Sequence, residues 1–196
     1  MGTIFAVEYV TLDGVMEEPG WSMPYFNDEL FKFQYDNLFG CDALLLGRIT
    51  YQGFAEVWPA RTDEVGFSAR MNDIPKYVAS TTLTHTSWNA TLLQGDVPAA
   101  VAKLKETDQK LMLEGSAQLL ESLRRHDLID EYRLMIHPVV LGRGKKLFAD
   151  GNAESALTLV DIMTTSTDVA VLTYRPASKQ PVRQSRSEPQ RRLAHH

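Results

Sequence analysis

A junction between an apolar run and a helix-like segment occupies residues 44–51. Leu44-Leu45-Leu46 has the character of a buried strand, Gly47 interrupts it, and Arg48 and Thr50 follow where a helix should begin. The first backbone N–H groups of a helix have no partner within the helix, so such a junction attracts anions. The glycine lets another molecule approach the backbone, while the arginine and the threonine offer hydrogen-bond donors. The pattern predicts a strand-turn-helix unit in an α/β fold, with an anion site at the turn.

Two further predicted strands end in small polar residues of the same kind. Ser80-Thr81-Thr82 follows a short strand at Tyr77–Ala79, and Glu114-Gly115-Ser116-Ala117 follows a strand at Lys110–Leu113. Ligands of open α/β sheets bind beyond the carboxyl ends of the strands. Each turn alone is also an ordinary strand-to-helix connection, since Gly, Ser and Thr suit turns and caps. Three in one short chain favour a nucleotide site.

Hydrophobic periodicity predicts the remaining elements. The predicted strands are Thr3–Val10, Ala43–Leu46, Tyr77–Ala79, Lys110–Leu113, Glu131–Val140, Leu157–Met163 and Val169–Tyr174. The predicted helices are Asn27–Phe39, a short one after Thr50, Asp96–Glu106 and Ala117–Arg125, with a loop at Glu17–Pro24 and an irregular segment at 56–74 that holds one helical turn. This alternation predicts an α/β fold: a mostly parallel central sheet flanked by helices, with a C-terminal antiparallel hairpin around Ser166-Thr167-Asp168.

Composition excludes several classes of protein. The chain has 196 residues, of which 44% are hydrophobic and 23% charged, and it suits one soluble domain. No apolar run approaches the ~20 residues of a membrane span, and the N-terminal residues lack the pattern of a signal peptide. The single cysteine, Cys41, excludes an internal disulfide and a multi-cysteine metal site. We therefore expect a cytoplasmic protein that binds neither a membrane nor a metal.

The C-terminal residues 176–196 differ from the rest of the chain. They are rich in Pro, Gln, Ser and Arg and carry five Lys or Arg residues against one Glu, although the whole chain has a net charge of −5. Such a composition predicts a disordered basic tail after a domain of residues 1–175. The body is therefore acidic, which argues against nucleic-acid binding.

The motifs, taken in order, resemble those of a known enzyme superfamily. They are Thr11-Leu12-Asp13-Gly14, Leu46–Tyr51, Tyr77–Ser80, Leu113–Leu119, Asp130–Leu134 and His137–Gly144. The chain resembles the dihydrofolate-reductase-like superfamily, and within it the C-terminal reductase domain of the bifunctional riboflavin-biosynthesis deaminase–reductase and its stand-alone relatives. This resemblance implies that residues 1–175 form an NADPH-dependent reductase domain. It would transfer a hydride to a small heterocyclic or carbonyl substrate, with a ribosylaminopyrimidine as the family-linked example, and it would form a homodimer.

The resemblance also implies roles for individual residues. The positions expected at the cofactor are Gly47, Arg48, Thr50, Ser80, Thr81, Gly115, Ser116 and Ala117. Relatives often carry a basic residue where Thr81 stands, which makes Arg48 the main candidate for the extra phosphate of NADPH and leaves NADH open. Asp13 is expected near the nicotinamide and the substrate, and it is the candidate catalytic carboxylate. Trp21 and Phe26 are candidates for lining the substrate pocket.

Three other interpretations remain open from the sequence. True dihydrofolate reductases place a carboxylate early in the first long helix, and in register with Gly47 that position is Phe31, which disfavours folate reduction. A dinucleotide-binding homodimeric module without turnover would use the same turns. A purely structural α/β protein would have the same strands and helices, but its three junctions would not converge.

Overall fold

A mixed sheet forms the centre of the molecule. A computed structural model describes residues 1–148 and 154–177 of the chain. Its strands are β1 (Thr3–Thr11), β2 (Ala43–Gly47), β3 (Lys76–Ala79), β4 (Ala90–Leu93), β5 (Lys110–Glu114), β6 (Glu131–His137), β7 (Leu157–Thr164) and β8 (Ala170–Pro176). Within the described residues they form one sheet in the order β4-β3-β2-β5-β1-β6-β8-β7. All neighbours are parallel except β8, which runs antiparallel to β6 and β7.

Helices cover both faces of this sheet. They are α1 (Asp28–Phe39), α2 (Arg48–Val57), α3 (Phe67–Asp73), α4 (Val97–Glu106) and α5 (Ala117–Arg125). Alternate residues of β1 serve two separate cores. Ile4 and Ala6 pack with apolar residues of α4 and α5, whereas Phe5 and Val7 pack with α1, α2 and α3. The predicted architecture, a mostly parallel sheet flanked by helices with a C-terminal antiparallel hairpin, is confirmed.

Local signals placed several boundaries correctly. Asn27 caps α1, since its side chain accepts a hydrogen bond from the Leu30 amide at 3.0 Å. Asp96 caps α4 in the same way through the Ala99 amide at 2.9 Å. These caps satisfy amides that the helices leave free.

Other boundaries differ from the expectation. Glu17–Pro24 is not a plain loop, because Pro19–Tyr25 forms a 3-10 helix, and the segment 56–74 contains a second 3-10 helix at Trp58–Ala60 besides the two turns of α3. Helix α2 begins at Arg48 rather than after Thr50. Strand β6 ends at His137 and not at Val140, since Pro138 has no N–H for the ladder. Strand β4 was not expected at all.

The predicted tail lies almost wholly outside the described residues. Strand β8 continues to Pro176, and the Ala177 amide still donates to the carbonyl of Ala156 at 2.9 Å. The expectation of a disordered basic tail concerns residues 178–196, which the structure does not describe.

Candidate functional site

A groove of about 1400 Å³ lies at the carboxyl ends of β1, β2, β3 and β5. All eight residues expected at a cofactor are in its lining: Gly47, Arg48, Thr50, Ser80, Thr81, Gly115, Ser116 and Ala117. Small-molecule pockets commonly measure ~300–1,000 Å³, so this groove has room for an extended ligand. The three strand-end junctions therefore converge, as a shared nucleotide site requires and a purely structural arrangement does not.

Two of the junctions interlock through their glycines. A Cβ on Gly47 would overlap the side-chain oxygen of Ser116, and a Cβ on Gly115 would lie 2.7 Å from Thr50 Oγ1. Glycine at 47 was expected to admit a ligand to the backbone, but the group that approaches it is the protein's own Ser116. The turns after β2 and β5 thus form one rigid wall of the groove.

Arg48 is the first residue of α2, and its side chain is exposed at the groove. Its Nη1 donates to Gln52 Oε1 at 3.0 Å, one turn further along the helix. This bond holds the guanidinium near the start of α2, where free amides already favour an anion. The position suits a phosphate group.

Ser80 and Thr81 line the groove at the end of β3. The side-chain oxygen of Ser80 accepts hydrogen bonds from the amides of Thr82 and Leu83 at 3.1 and 3.0 Å. By accepting these two bonds, the Ser80 oxygen stabilises the turn that follows β3. The hydroxyl hydrogen of Ser80 can still be donated, as can that of the exposed Thr81.

The turn between β5 and α5 contains two consecutive residues with left-handed backbone. Gly115 has φ +65° and Ser116 has φ +62°, a conformation that is unusual for a serine. No side chain caps the start of α5. One amide of the turn is already used, because Gly115 N donates to Glu8 Oε2 at 3.2 Å. The first amides of α5 have no intrahelical acceptor and no side-chain cap, so they could donate to an anion.

Glu8 is a groove residue that sequence reasoning missed. Its side chain is only 2% exposed, and among the described residues its Oε1 has no hydrogen-bond partner. Burial raises the pKa of Glu8 well above its usual range, the nearby Glu114 raises it further, and the Gly115 amide lowers it in part. The sequence does contain one signal for it. Glu8 alternates with Ile4, Ala6 and Val10 on one buried face of β1, where an acid is unexpected.

Glu114 also lines the groove, at the last position of β5. Its side chain is half-buried, and burial raises the pKa of its carboxyl to about 7. From the sequence, a glutamate before this glycine could face the cofactor but is ordinary among the relatives, which favours a structural role for Glu114. Two carboxyl groups with raised pKa values in one groove are typical of a functional site, although structural acids show such shifts too.

Asp13, the expected catalytic carboxylate, is not among the residues that line the groove. It accepts hydrogen bonds from the Thr11 hydroxyl at 2.6 Å and from the amides of Gly142 and Leu141 at 2.7 and 3.2 Å. These bonds, the one from Thr11 first, lower the pKa of Asp13 to about 2. The carboxylate ties the turn after β1 to the loop at 141–142, which is a structural task.

The two expected substrate residues have different positions. Trp21 lies outside the lining, with its Nε1 donating to the Glu17 carbonyl at 3.1 Å and its ring edge-on to buried His137. Phe26 lies in the lining. It belongs to a wall of aromatic side chains contributed by α1, α2, α3 and the adjoining 3-10 segments. The members of this aromatic wall are Phe26, Phe31, Phe54, Trp58 and Phe67.

The family of RibD C-terminal domains matches residues 3–171 of this chain. The chain belongs to that family. This RibD C-terminal domain is similar to YyaP of Bacillus subtilis. The two are 31% identical over 169 residues, which cover 84% of this chain and 90% of YyaP.

Solved structures share the fold of this RibD C-terminal domain. One is a candidate riboflavin biosynthesis protein from a Shewanella species, with a TM-score of 0.73 at 19% identity, covering 90% of this chain and 99% of that one. Another is the dihydrofolate reductase of Enterococcus faecalis complexed with NADP(H), with a TM-score of 0.63 at 14% identity, covering 90% and 98%. At these identities the likeness establishes the dihydrofolate-reductase-like fold.

Among residues 1–148 and 154–177, none of the helices has the length and apolar character needed to cross a bilayer. In the same ranges, no three His, Cys, Asp or Glu side chains are grouped so that they could hold a metal ion.

Proposed function

We propose that this chain is a nicotinamide-dependent reductase that uses NADPH, with NADH as the weaker cofactor, and reduces a small heterocyclic or carbonyl compound. The convergence of three strand-end junctions on one groove carries the proposal. Membership of the RibD C-terminal domain family supports it, as does the shared fold of the E. faecalis dihydrofolate reductase, which was solved with NADP(H). A ribosylaminopyrimidine is the substrate that the resemblance to riboflavin-biosynthesis reductases favours.

The residues present fit such a cofactor. The exposed guanidinium of Arg48 at the start of α2 would hold the extra phosphate, the amides at the start of α5 the pyrophosphate, and the hydroxyls of Ser80 and Thr81 the adenosine side. The interlock of Gly47 with Ser116 keeps these two donor groups at a fixed separation. A bound nicotinamide supplies a hydride, and the protein's own task is to position the reactants and exclude water.

The aromatic wall suits a flat acceptor. Phe31 and Phe67 have ring centroids 5.6 Å apart, and Trp58 lies 5.5 Å from Phe67. Two polar residues, Tyr9 and Gln34, also line this groove. They are bonded to each other, because Gln34 Nε2 donates to the hydroxyl of Tyr9 at 2.9 Å. Among the described residues, α1 contributes Phe31 and Gln34 to the lining and no carboxylate. The aromatic wall therefore suits a planar heterocycle, while the lack of a carboxylate from α1 in the lining disfavours folate reduction that relies on one.

The decisive experiment is a turnover assay. Purified protein is mixed with NADPH and a panel of dihydropterin, ribosylaminopyrimidine, imine, carbonyl and quinone acceptors, and cofactor oxidation is followed by absorbance. We expect oxidation with at least one class. Binding of NADPH without oxidation across the panel would support the dinucleotide-binding module without turnover instead.

We also propose that two copies of the chain associate through β7. This strand is one edge of the sheet, and its Leu159, Val160 and Ile162 are 48%, 47% and 59% exposed. A row of apolar side chains on an open edge is a surface that proteins usually cover.

A further inference from the structure

Glu8 combines deep burial with an unused oxygen. It is 2% exposed, it lines the groove, and its Oε1 lacks a partner among residues 1–148 and 154–177. Buried side-chain oxygens are nearly always hydrogen-bonded, and an exception needs an explanation. A carboxyl that served only to hold the β5–α5 turn would be expected to satisfy both oxygens. One oxygen of this groove residue therefore lacks a hydrogen bond, and a ligand in the groove is a candidate partner for it.

The position of the acidic proton follows from the hydrogen bonds. Oε2 accepts the Gly115 amide at 3.2 Å and so serves as an acceptor. In the neutral acid the proton consequently sits on Oε1, the oxygen without a protein partner. Burial and the neighbouring Glu114 both raise the pKa of Glu8, and both therefore favour its neutral, proton-carrying form.

The surrounding charges do not reverse this conclusion. Glu114 of β5 is the charged group that acts on Glu8, and it favours the protonated form. The cations in the described lining are engaged elsewhere: Arg48 bonds Gln52, Lys145 pairs with Glu17 at 3.2 Å, and Arg61 lies over the Trp58 ring. None of these three provides the close positive charge that would ionise Glu8.

We propose that Glu8 is the proton donor of this groove, and that the substrate is reduced at a C=N or C=O bond whose heteroatom contacts Oε1. This inference rests on the proposed reductase function. The substrate carbon receives a hydride from the reduced nicotinamide, and the π-electron pair moves to the nitrogen or oxygen. The O–H bond at Oε1 breaks, and its proton forms the new N–H or O–H bond. Glu8 is left as a carboxylate that keeps the Gly115 hydrogen bond, and a proton from solvent restores the acid.

The proposal separates two classes of acceptor. A simple imine or carbonyl gives a strongly basic heteroatom on reduction and needs a donor within hydrogen-bond reach. A quinone gives a phenolate-type oxygen that water protonates without help. Dependence on Glu8 is therefore expected for the first class and not for the second.

The test compares Glu8→Gln with the wild-type protein. Glutamine keeps the shape and can still accept the Gly115 amide, but it has no acidic proton. The control is Glu56→Gln, on the exposed side of α2 and outside the groove lining. We expect Glu8→Gln to retain NADPH affinity within about threefold, to lose ~10²–10⁴-fold in kcat with imine or carbonyl acceptors, and to retain quinone reduction. The control should match the wild type throughout.

Two further measurements test the protonation state of Glu8, one by infrared spectroscopy and one by the pH dependence of turnover. Infrared difference spectra of wild type minus Glu8→Gln should show the carbonyl stretch of a protonated carboxylic acid at pH 7, and NADPH should shift that band. The kcat for an imine or carbonyl acceptor should fall as the pH rises through the pKa of Glu8.

The outcomes are distinguishable. Equal kcat for Glu8→Gln and wild type on imines and carbonyls, or an ionised Glu8 at pH 7, would overturn the proton-donor role and leave the reductase proposal standing. Turnover of quinones alone would also overturn it. Absence of turnover with every acceptor would overturn the reductase proposal, and the role of Glu8 with it.

Discussion

Ser116 packs its side chain against Gly47 so closely that no Cβ fits at position 47. The contact joins the turn after β2 to the turn after β5, two segments almost seventy residues apart in the chain. Because both turns carry donors for the proposed cofactor, the packing of one glycine against one serine fixes the geometry of the site.

Replacing Gly47 by alanine should destabilise the protein. The added Cβ would overlap Ser116, and overpacking of this kind typically costs ~1–3 kcal/mol. Chemical denaturation measures the loss in the free energy of unfolding. The matched control is Gly53→Ala in the interior of α2, where nothing lies within 4 Å of the new Cβ and a gain of ~0.5–1 kcal/mol is expected. Adding Ser116→Gly to Gly47→Ala should restore stability, and failure of this rescue would argue against the steric explanation.

Replacing Arg48 by alanine should weaken NADPH binding more than NADH binding. A lost hydrogen bond from a charged group is worth ~1.5–3 kcal/mol, or about 10- to 100-fold in affinity. Fluorescence titration with both cofactors measures the difference. Arg143→Ala is the control, since Arg143 is exposed and outside the groove lining. An equal effect of Arg48→Ala on both cofactors would assign the arginine to the shared pyrophosphate instead.

Asp13 should contribute to stability rather than to turnover. Its pKa is lowered from 3.8 to about 2 in the folded protein, so the stabilisation is complete above pH 4 and is lost as the pH falls from about 4 to 2. Asp13→Asn should therefore unfold more easily at pH 7, and its stability should approach that of the wild type near pH 2. Thermal unfolding across this pH range is the measurement. A large drop in kcat without a change in stability would restore the catalytic role.

The proposed dimer should depend on β7. Ile162→Lys places a charge on the exposed edge strand and should convert a dimer to a monomer in sedimentation velocity experiments. Val140→Lys, at a residue that is 69% exposed and lies in the loop after β6, is the control. A wild-type protein that sediments as a monomer at high concentration would contradict the proposal.

Much of the fold could be predicted because its signals are local. Short apolar runs bounded by turn residues predicted most of the strands, and Asn27 and Asp96 marked helix starts through capping, which depends on a few adjacent residues. Strand β4 could not be predicted in this way. It is four residues long, lies at the sheet edge and buries only Leu93 fully. Such a short segment has too few apolar residues to stand out in the sequence.

The candidate site could be predicted only in part. The three junctions were recognisable because Gly, Ser, Thr and Arg cluster at strand ends, and the structure brings them together. Glu8 was missed because an acid inside a strand has no local motif, and its importance depends on the distant Gly115 amide. The assignment of Asp13 to the site rests on the family resemblance, whereas the loop at 141–142, which binds its carboxylate, is remote in sequence.

The central claim is that a nicotinamide dinucleotide binds in the groove between the Gly47 and Gly115 turns. Isothermal titration calorimetry of NADPH and NADH into the wild-type protein tests it most directly. The account predicts one site per chain for NADPH, tighter than for NADH. No heat of binding from either cofactor at millimolar concentration would contradict it.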